Sequence, residues 1–301
     1  MLDLKNFQKT MERRLTERLP ANARAIATHV KKNNGTVLHG ITVSQEERAI
    51  APNIYLEGFY ADYRNGRELD DILDEIEREL KRLSTVPSGF EEIVERFTDI
   101  SFVRERVIMV AVNTERNESL LAEVPHRNVE DLSLIYKVVI SMDENGTASI
   151  TVRNEHLGFW KLTPDSLHEL ARENTPKILP ARVKSMKNML QGFIEDFDND
   201  SAESMYVITN TSQNYGAAVM FYDDVLSEVA ETLGGDLAVI PSSIHEVLAV
   251  RIDRVPLEML EEIVHEVNTT VVDDDEILSD SIYRFDSDTK TLTMESSKKN
   301  N

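Results

Sequence analysis

The sequence predicts an α+β protein, with mixed or antiparallel sheets and helices packed against them. Residues 68–83 repeat apolar side chains at three- and four-residue spacing, which is typical of an amphipathic helix. Residues 132–141 and 147–152 are rich in β-forming residues and flank the turn sequence DENG, which predicts a hairpin. Another pair of strand-like segments flanks Asn34-Gly35 and predicts a second hairpin.

The N-terminal part of the chain predicts a small lobe. Its expected elements are, in order, a helix at 2–19 ended by Pro20, strands at 25–30 and 36–43, a short helix at 54–63 and the amphipathic helix at 68–83. Pro87-Ser88-Gly89 then breaks the pattern and is the best candidate for a linker. Because 301 residues favour about two domains, we expect an α/β lobe at 1–88, an α+β domain at 89–296 and a polar tail at 297–301.

The longer C-terminal part predicts helices and short strands. The expected elements are, in order, a helix at 91–97, a strand at 106–112, a helix at 113–121, the hairpin at 132–152, helices at 163–172 and 180–193, a strand at 205–209, a helix at 219–233, strands at 237–240 and 246–252, a helix at 257–267 and a hairpin at 281–294. Thr163 and Pro164 suit the N-cap and the first helical position. Gly234 or Gly235 should adopt the left-handed conformation as a C-cap.

The charge distribution excludes some partners. The net charge is −21, and residues 188–250 contain eleven acids without a single Lys or Arg. Such a field repels phosphate backbones and anionic lipid, so we expect no direct binding to nucleic acid or to a membrane surface. There are no cysteines, and the N-terminus has no apolar segment typical of a signal peptide, so we expect a cytoplasmic protein.

Two polar loops in this window are the candidate sites. The first contains Asn210, Asn214 and Tyr215, and it follows a strand-like segment and precedes a helix-like one. The second joins two apolar strands and contains Ser242, Ser243, His245 and Glu246. A serine, a histidine and an acid this close in sequence rarely form a catalytic triad, and we expect His245 to be structural, bonded to backbone or to the serines. Glu246 or Asp236 could supply a carboxylate beside it.

Motifs for cofactors and metals are absent from the sequence. The seven histidines form no H-E-x-x-H pair, and the acidic run at 272–276 lacks the order of a calcium loop. Neither glycine-rich phosphate motif occurs. The sequence therefore predicts neither a metal site nor a cofactor.

Several segments resemble a known family. They are NNGTVLHGITV at 33–43, APNIYLEGFYADYRNG at 51–66, VNTERNESLLAEVPHRNVEDLSLIYKV at 112–138, ARENTP at 171–176, MYVITN at 205–210, YGAAVMFYDDVL at 215–226 and IPSSIHEV at 240–247. Together they resemble a domain-of-unknown-function family of gut clostridia and related Firmicutes, often found near mobile elements. The resemblance implies a bacterial cytoplasmic protein and carries no catalytic residues.

Two functional hypotheses remain open from the sequence. The first is a non-enzymatic protein that binds another protein, in one version a mobile-element accessory that mimics the charge of DNA. The second is a hydrolase or small-molecule enzyme that uses the loop at 240–247. A concave pocket around Ser242, Ser243 and His245 would favour the enzyme, whereas a flat acidic face would favour binding.

Overall fold

The computed structural model describes residues 1–45, 53–83, 96–143, 146–186 and 205–295. The chain forms two compact units, Met1–Glu95 and Arg96–Asn301. The linker expected at 87–89, most of the helix expected at 91–97 and the polar tail lie outside the described residues.

The first unit is a three-stranded antiparallel sheet with helices packed on it, in the order α1 (Leu4–Arg18), β1 (Ala23–Lys31), β2 (Val37–Gln45), β3 (Asn53–Tyr55), α2 (Glu57–Arg64) and α3 (Leu69–Leu83). The expected hairpin is confirmed, since β1 pairs with β2 and both Asn34 and Gly35 have positive φ. The periodic residues of α1 and α3 pack in one core with the sheet, among them Phe7, Met11, Leu15, Ile72, Leu73 and Ile76.

The helix expected at 54–63 is only partly correct. Asn53–Tyr55 is strand β3, and the helix begins at Glu57. Ile54 lies opposite Ile41 of β2 in the antiparallel ladder, so its backbone is held by a neighbouring strand. Local spacing cannot show a pairing partner that is distant in sequence, and tertiary context overrides the helical pattern here.

The second unit contains two antiparallel sheets. Its elements are, in order, α4 (Ile100–Arg104), β4 (Val107–Asn113), α5 (Glu118–Leu121), β5 (His126–Val129), β6 (Leu132–Asp143), β7 (Gly146–Thr151), α6 (Asn154–Trp160), α7 (Pro164–Ile178), β8 (Ala181–Ser185), β9 (Met205–Asn210), α8 (Val225–Leu233), β10 (Leu237–Ile240), β11 (Val247–Arg251), α9 (Leu257–Thr270), β12 (Ile282–Asp286) and β13 (Thr291–Glu295). Strands β4, β5 and β7 pair with β6, and a six-stranded sheet has the order β13-β12-β10-β11-β9-β8. This architecture confirms the predicted α+β class, with antiparallel pairing between all described strands.

A shared carboxylate joins the two sheets of this unit. Asp131, beside β6, accepts hydrogen bonds from the hydroxyls of Ser279, at 2.7 Å, and Ser281, at 3.2 Å. The phenol of the fully buried Tyr283 in β12 also donates to Asp131. Burial and this carboxylate raise the pKa of Tyr283, so the phenol keeps its proton and remains a donor.

One helix covers a face of the six-stranded sheet. Leu260 and Val264 of α9 pack on Ala238, Ile240 and Val250 in a shared core. Their four-residue spacing places both on the same side of the helix, which leaves the opposite side turned away from the sheet.

Other expected helices also differ from the structure. The helix expected at 180–193 is wrong at its start, because Ala181–Ser185 is edge strand β8 and pairs with β9; its residues from 187 onward are not described. The helix that begins at Thr163 and Pro164 is confirmed, but it continues past Arg172 to Ile178. The helix expected at 219–233 is split: a 3₁₀ segment, Gly216–Phe221, precedes α8.

The end of α8 agrees with the sequence. Gly234 has φ of 76° and its amide donates to the backbone oxygen of Ala230 at 2.8 Å, as expected of a left-handed C-cap. At the end of β4, the side chain of Asn113 accepts from the amide of Arg116 at 2.9 Å. A 3₁₀ turn, Glu115–Asn117, and the short α5 follow it in place of the single helix expected at 113–121.

Candidate functional site

The two loops predicted as a site meet at one end of the six-stranded sheet. Val247, at the start of β11, lies opposite Ile208, near the end of β9. Because the strands are antiparallel, the loop after β9 and the loop before β11 lie at the same end of the sheet. A third segment joins them, since Ser243 forms an isolated β-bridge with Ile277. We call residues 209–217, 241–246 and 276–279 together the loop cluster.

Asn210 organises the first loop from inside. Its side chain is fully buried, and its Oδ1 accepts from the amide and the hydroxyl of Ser212 at 3.0 and 2.9 Å. Its Nδ2 donates to the backbone oxygen of Asn214 at 2.8 Å. Asparagine commonly bonds its own backbone two residues onward in this way, which fixes the turn. The amide of Asn210 is therefore occupied within the loop.

Gly216 permits the closest approach between the loops. A Cβ at this position would lie 2.1 Å from Thr209 Oγ1 and 2.2 Å from the backbone oxygen of His245. Thr209 Oγ1 itself donates to that oxygen at 2.7 Å. Next along the chain, Ala217 donates its amide to the backbone oxygen of Ile244 at 3.1 Å. Glycine is required here because any side chain would separate the two loops.

The His245 ring is held at both nitrogens. The amide of Tyr215 points at Nδ1 at 3.4 Å, so Nδ1 is the acceptor. The proton is then on Nε2, which donates to Glu276 Oε1 at 3.2 Å. The ring also lies 6.3 Å from the Tyr215 ring, centroid to centroid. This arrangement fixes the tautomer and orientation of the imidazole and leaves Nδ1 engaged by the backbone.

The serines of the second loop act on the backbone. Ser243 Oγ accepts from the amide of His245 at 3.1 Å, and the backbone oxygen of Ser242 accepts from the amide of Leu278 at 2.9 Å. Among the described hydrogen bonds, none joins a serine hydroxyl to the His245 ring. A nucleophile needs a base within hydrogen-bond reach, so the loop cluster, as it stands, supports loop packing better than acyl transfer.

The carboxylate partner of His245 was missed from the sequence. Glu276 is 31 residues away in the chain and belongs to an acidic run that resembles a solvated charge cluster. The two acids expected near His245 have other positions. Glu246 is exposed, and Asp236 pairs with Arg284 at 2.6 Å. No local signal in the sequence connects His245 with Glu276.

A cavity of about 940 Å³ lies elsewhere in this unit, along α7. Its wall includes Arg172, which pairs with Asp223 at 2.8 Å and with Glu169 at 3.5 Å. None of the seven site residues predicted from the sequence lines it. Arg172 is therefore paired with two acids of this wall, and surface ion pairs of this kind contribute little stability.

A buried Tyr–His pair lies beneath the same helix. The hydroxyl of Tyr136 lies 3.1 Å from Nδ1 of His168, and both side chains are buried. Burial raises the pKa of Tyr136 to about 12 and lowers the pKa of His168, because burial disfavours the charged form of each group. Both groups are therefore neutral at pH 7.

The outer side of α9 carries two parallel rows of side chains, which we call the α9 face. The apolar row is Met259, Ile263 and the half-buried Val267, and the exposures of Met259 and Ile263 are 54% and 43%. The acidic row is Glu258, Glu262 and Glu266, all exposed. Each row follows four-residue spacing, so the two run side by side along the helix. No described Lys or Arg forms an ion pair with the acidic row.

Two features are absent from the described residues. They contain no group of three or more His, Asp or Glu residues placed to hold a metal ion. In the part of the chain that the structure covers, we also find no helix both long and apolar enough to cross a membrane.

Comparison with known proteins identifies the family. Residues 4–287 match the family of unknown function DUF5688. The chain belongs to this family. No curated protein and no solved structure matches it. The family covers both compact units, so the loop cluster and the α9 face are features of one DUF5688 chain.

Proposed function

We propose that this DUF5688 chain is a bacterial, cytoplasmic accessory protein that binds another protein through the α9 face. The observation that carries the proposal is the apolar row, where Met259 and Ile263 are exposed at four-residue spacing. Single exposed apolar residues are ordinary, but an aligned row beside acids is typical of a surface for a partner. The resemblance noted above adds an association with mobile elements to this proposal.

The apolar row is not needed to hold α9 on the sheet. Leu260 and Val264 already bury the inner side of α9 against the sheet. Met259 and Ile263 contribute little to that core, because half or nearly half of each side chain remains exposed. The apolar stripe of α9 is wider than the part that the sheet covers, and Met259 and Ile263 form its exposed edge.

DNA mimicry has weaker support than docking through an apolar row. A mimic of duplex DNA needs unpaired carboxylates on one surface. In the base-free window, three described acids pair with bases from outside it: Asp223 with Arg172, Asp224 with Lys290, and Asp236 with Arg284. These pairs reduce the negative potential that mimicry would use.

The enzymatic alternative requires a free base in the loop cluster. His245 Nδ1 faces the amide of Tyr215 and Nε2 faces Glu276, so a reaction would first require one of these contacts to break. The contacts favour a structural role for the loops, and protein binding remains the proposal.

A comparison of baits tests the proposed function. We would capture partners from the native host with the wild-type chain, with a Met259→Ser, Ile263→Ser chain and with a His245→Ala chain. Any captured protein would then be purified and its affinity for all three baits measured. We expect the first variant to bind at least tenfold more weakly, about 1.4 kcal/mol, and His245→Ala to bind like the wild type. A partner that is lost with His245→Ala and kept with the double variant would assign binding to the loop cluster instead.

A further inference from the structure

The acidic row lies directly beside the apolar row on α9. Glu258, Glu262 and Glu266 each precede a member of the apolar ridge formed by Met259, Ile263 and the half-buried Val267. Residues four apart on a helix are about 6 Å apart along its axis, so both rows repeat at about 6 Å. A partner segment that contacts the apolar row of α9 must therefore also lie next to the acidic row.

We infer that the partner segment is a basic amphipathic helix, with Lys or Arg at four-residue spacing next to an apolar stripe; this rests on the proposed function of the α9 face. The three carboxylates have no ion-pair partner among the described residues, and the whole chain carries a net charge of −21. A basic segment would be attracted from a distance and then held next to these carboxylates, whereas an acidic segment would be repelled.

The geometry selects a helix over an extended strand. Successive side chains of a strand point to opposite faces, so a strand with alternating apolar and basic residues presents only one kind to α9. A helix places neighbouring i+4 rows on the same side, where an apolar row and a basic row can meet their counterparts together. The i+4 ridges of two helices also interdigitate in the commonest class of helix packing.

The size of the surface sets the expected strength. α9 contains 14 residues and is therefore about 21 Å long, which matches roughly four turns of a partner helix. A contact of one helix on one exposed row falls in the range of small, transient interfaces. The three carboxylates should then mainly increase the association rate and the selectivity for a basic partner. This electrostatic contribution should fall as the salt concentration rises, because salt screens the charges.

The experiment uses two synthetic helical peptides of about 18 residues. The first repeats Leu on one i+4 ridge and Lys on the adjacent ridge; the second replaces every Lys with Glu. Fluorescence anisotropy measures both against the full-length wild-type chain, Glu258→Gln/Glu262→Gln/Glu266→Gln and Met259→Ser/Ile263→Ser. We expect the wild type to prefer the Lys peptide about tenfold or more. The triple variant, which still has a net charge of −18 (−21 plus three), should show a smaller preference and a weaker salt dependence, and the double variant should bind both peptides about tenfold or more weakly.

The possible failures can be told apart. If the wild type binds both peptides equally, or if the triple variant shows the same preference as the wild type, the basic partner is wrong, while weaker binding by the double variant would still support the α9 face. If the Lys peptide binds the double variant as tightly as the wild type, the apolar row is not the docking surface and the proposed function fails with it. If the wild type binds neither peptide, the inferred partner class is wrong.

Discussion

The loop cluster and the α9 face are both rich in polar residues, but those residues make different contacts. In the loop cluster, Asn210 and His245 bond to backbone atoms or to Glu276 within the cluster. On the α9 face, the acidic row has no ion pair with a described base, and the apolar row is exposed. Polar groups that satisfy one another hold a fold together, whereas an apolar row beside unpaired charges is available to a partner. Changes in the loop cluster should therefore affect stability, and changes on the α9 face should affect binding.

The largest effect is expected at Gly216. Gly216→Ala would place a Cβ 2.1 Å from Thr209 Oγ1 and 2.2 Å from the backbone oxygen of His245. The loops would have to separate, and we expect a loss of about 3 kcal/mol in the free energy of unfolding, measured by urea denaturation. Gly158→Ala in α6 is the control, because nothing lies within 4 Å of its added Cβ, and it should not destabilise the chain. Equal stability of the two variants would mean that the loops do not pack as described.

The next effect is expected at His245. His245→Ala leaves the Tyr215 amide and Glu276 without a partner inside the protein, so we expect a loss of about 1 kcal/mol. A double-mutant cycle that combines His245→Ala with Glu276→Gln should show a coupling energy of about 0.5 kcal/mol or more. An unchanged melting temperature together with a lost phenotype of the intact gene would contradict a structural role and assign chemistry or recognition to the loops.

Asp236 is a paired acid that can be compared with the unpaired acids of the acidic row. Hydrogen bonds from the amide and hydroxyl of Ser287, and then from Arg284, lower the pKa of Asp236 to about 2. A depressed folded-state pKa stabilises the protein above the unfolded value near 3.9, and this contribution disappears as the pH falls towards 2. Asp236→Asn should therefore melt below the wild type at pH 6, and the difference should shrink between about pH 4 and pH 2. A difference independent of pH would show that the ionised carboxylate is not the stabilising form.

The smallest effect on stability is expected from the acidic row. Glu258→Gln/Glu262→Gln/Glu266→Gln should change the free energy of unfolding by less than about 0.5 kcal/mol, because exposed side chains without partners contribute little. Calorimetry on this variant and on Asp236→Asn at pH 6 compares the two kinds of acid directly. A large loss of unfolding free energy in the triple variant would show that the acidic row stabilises α9. The contrast between a stabilising loop cluster and a binding α9 face would then be wrong.

The parts of the fold that follow from neighbouring residues could be predicted from the sequence. Asn34-Gly35, Thr163-Pro164 and Gly234 each specify a turn or a helix end through their own backbone preferences, and the structure confirms them. Strands β3 and β8 were predicted as helix, because each is defined by pairing with a strand elsewhere in the chain. A spacing pattern in one segment contains no information about that partner.

The two candidate surfaces show the same limit. Asn210, Tyr215 and His245 could be selected from the sequence as polar residues between apolar segments. The bond of Asn210 to Asn214, and the bonds of His245 to Tyr215 and Glu276, could not be predicted. On α9 the sequence shows one broad apolar stripe, and only the sheet decides that Leu260 and Val264 are the part of it that faces inward. The exposed row is therefore visible only after folding.

The most direct test of the account is a methyl NMR titration of the full-length chain with the Lys peptide. Methyl labels on Ile and Met report on Met259 and Ile263 of the α9 face, and on Ile240, which is buried in the core under α9. We predict shifts at Met259 and Ile263 that saturate with the peptide, and little change at Ile208 of β9 near the loop cluster. Shifts that concentrate at Ile208 and Ile244, with Met259 and Ile263 unchanged, would contradict the assignment of binding to the α9 face.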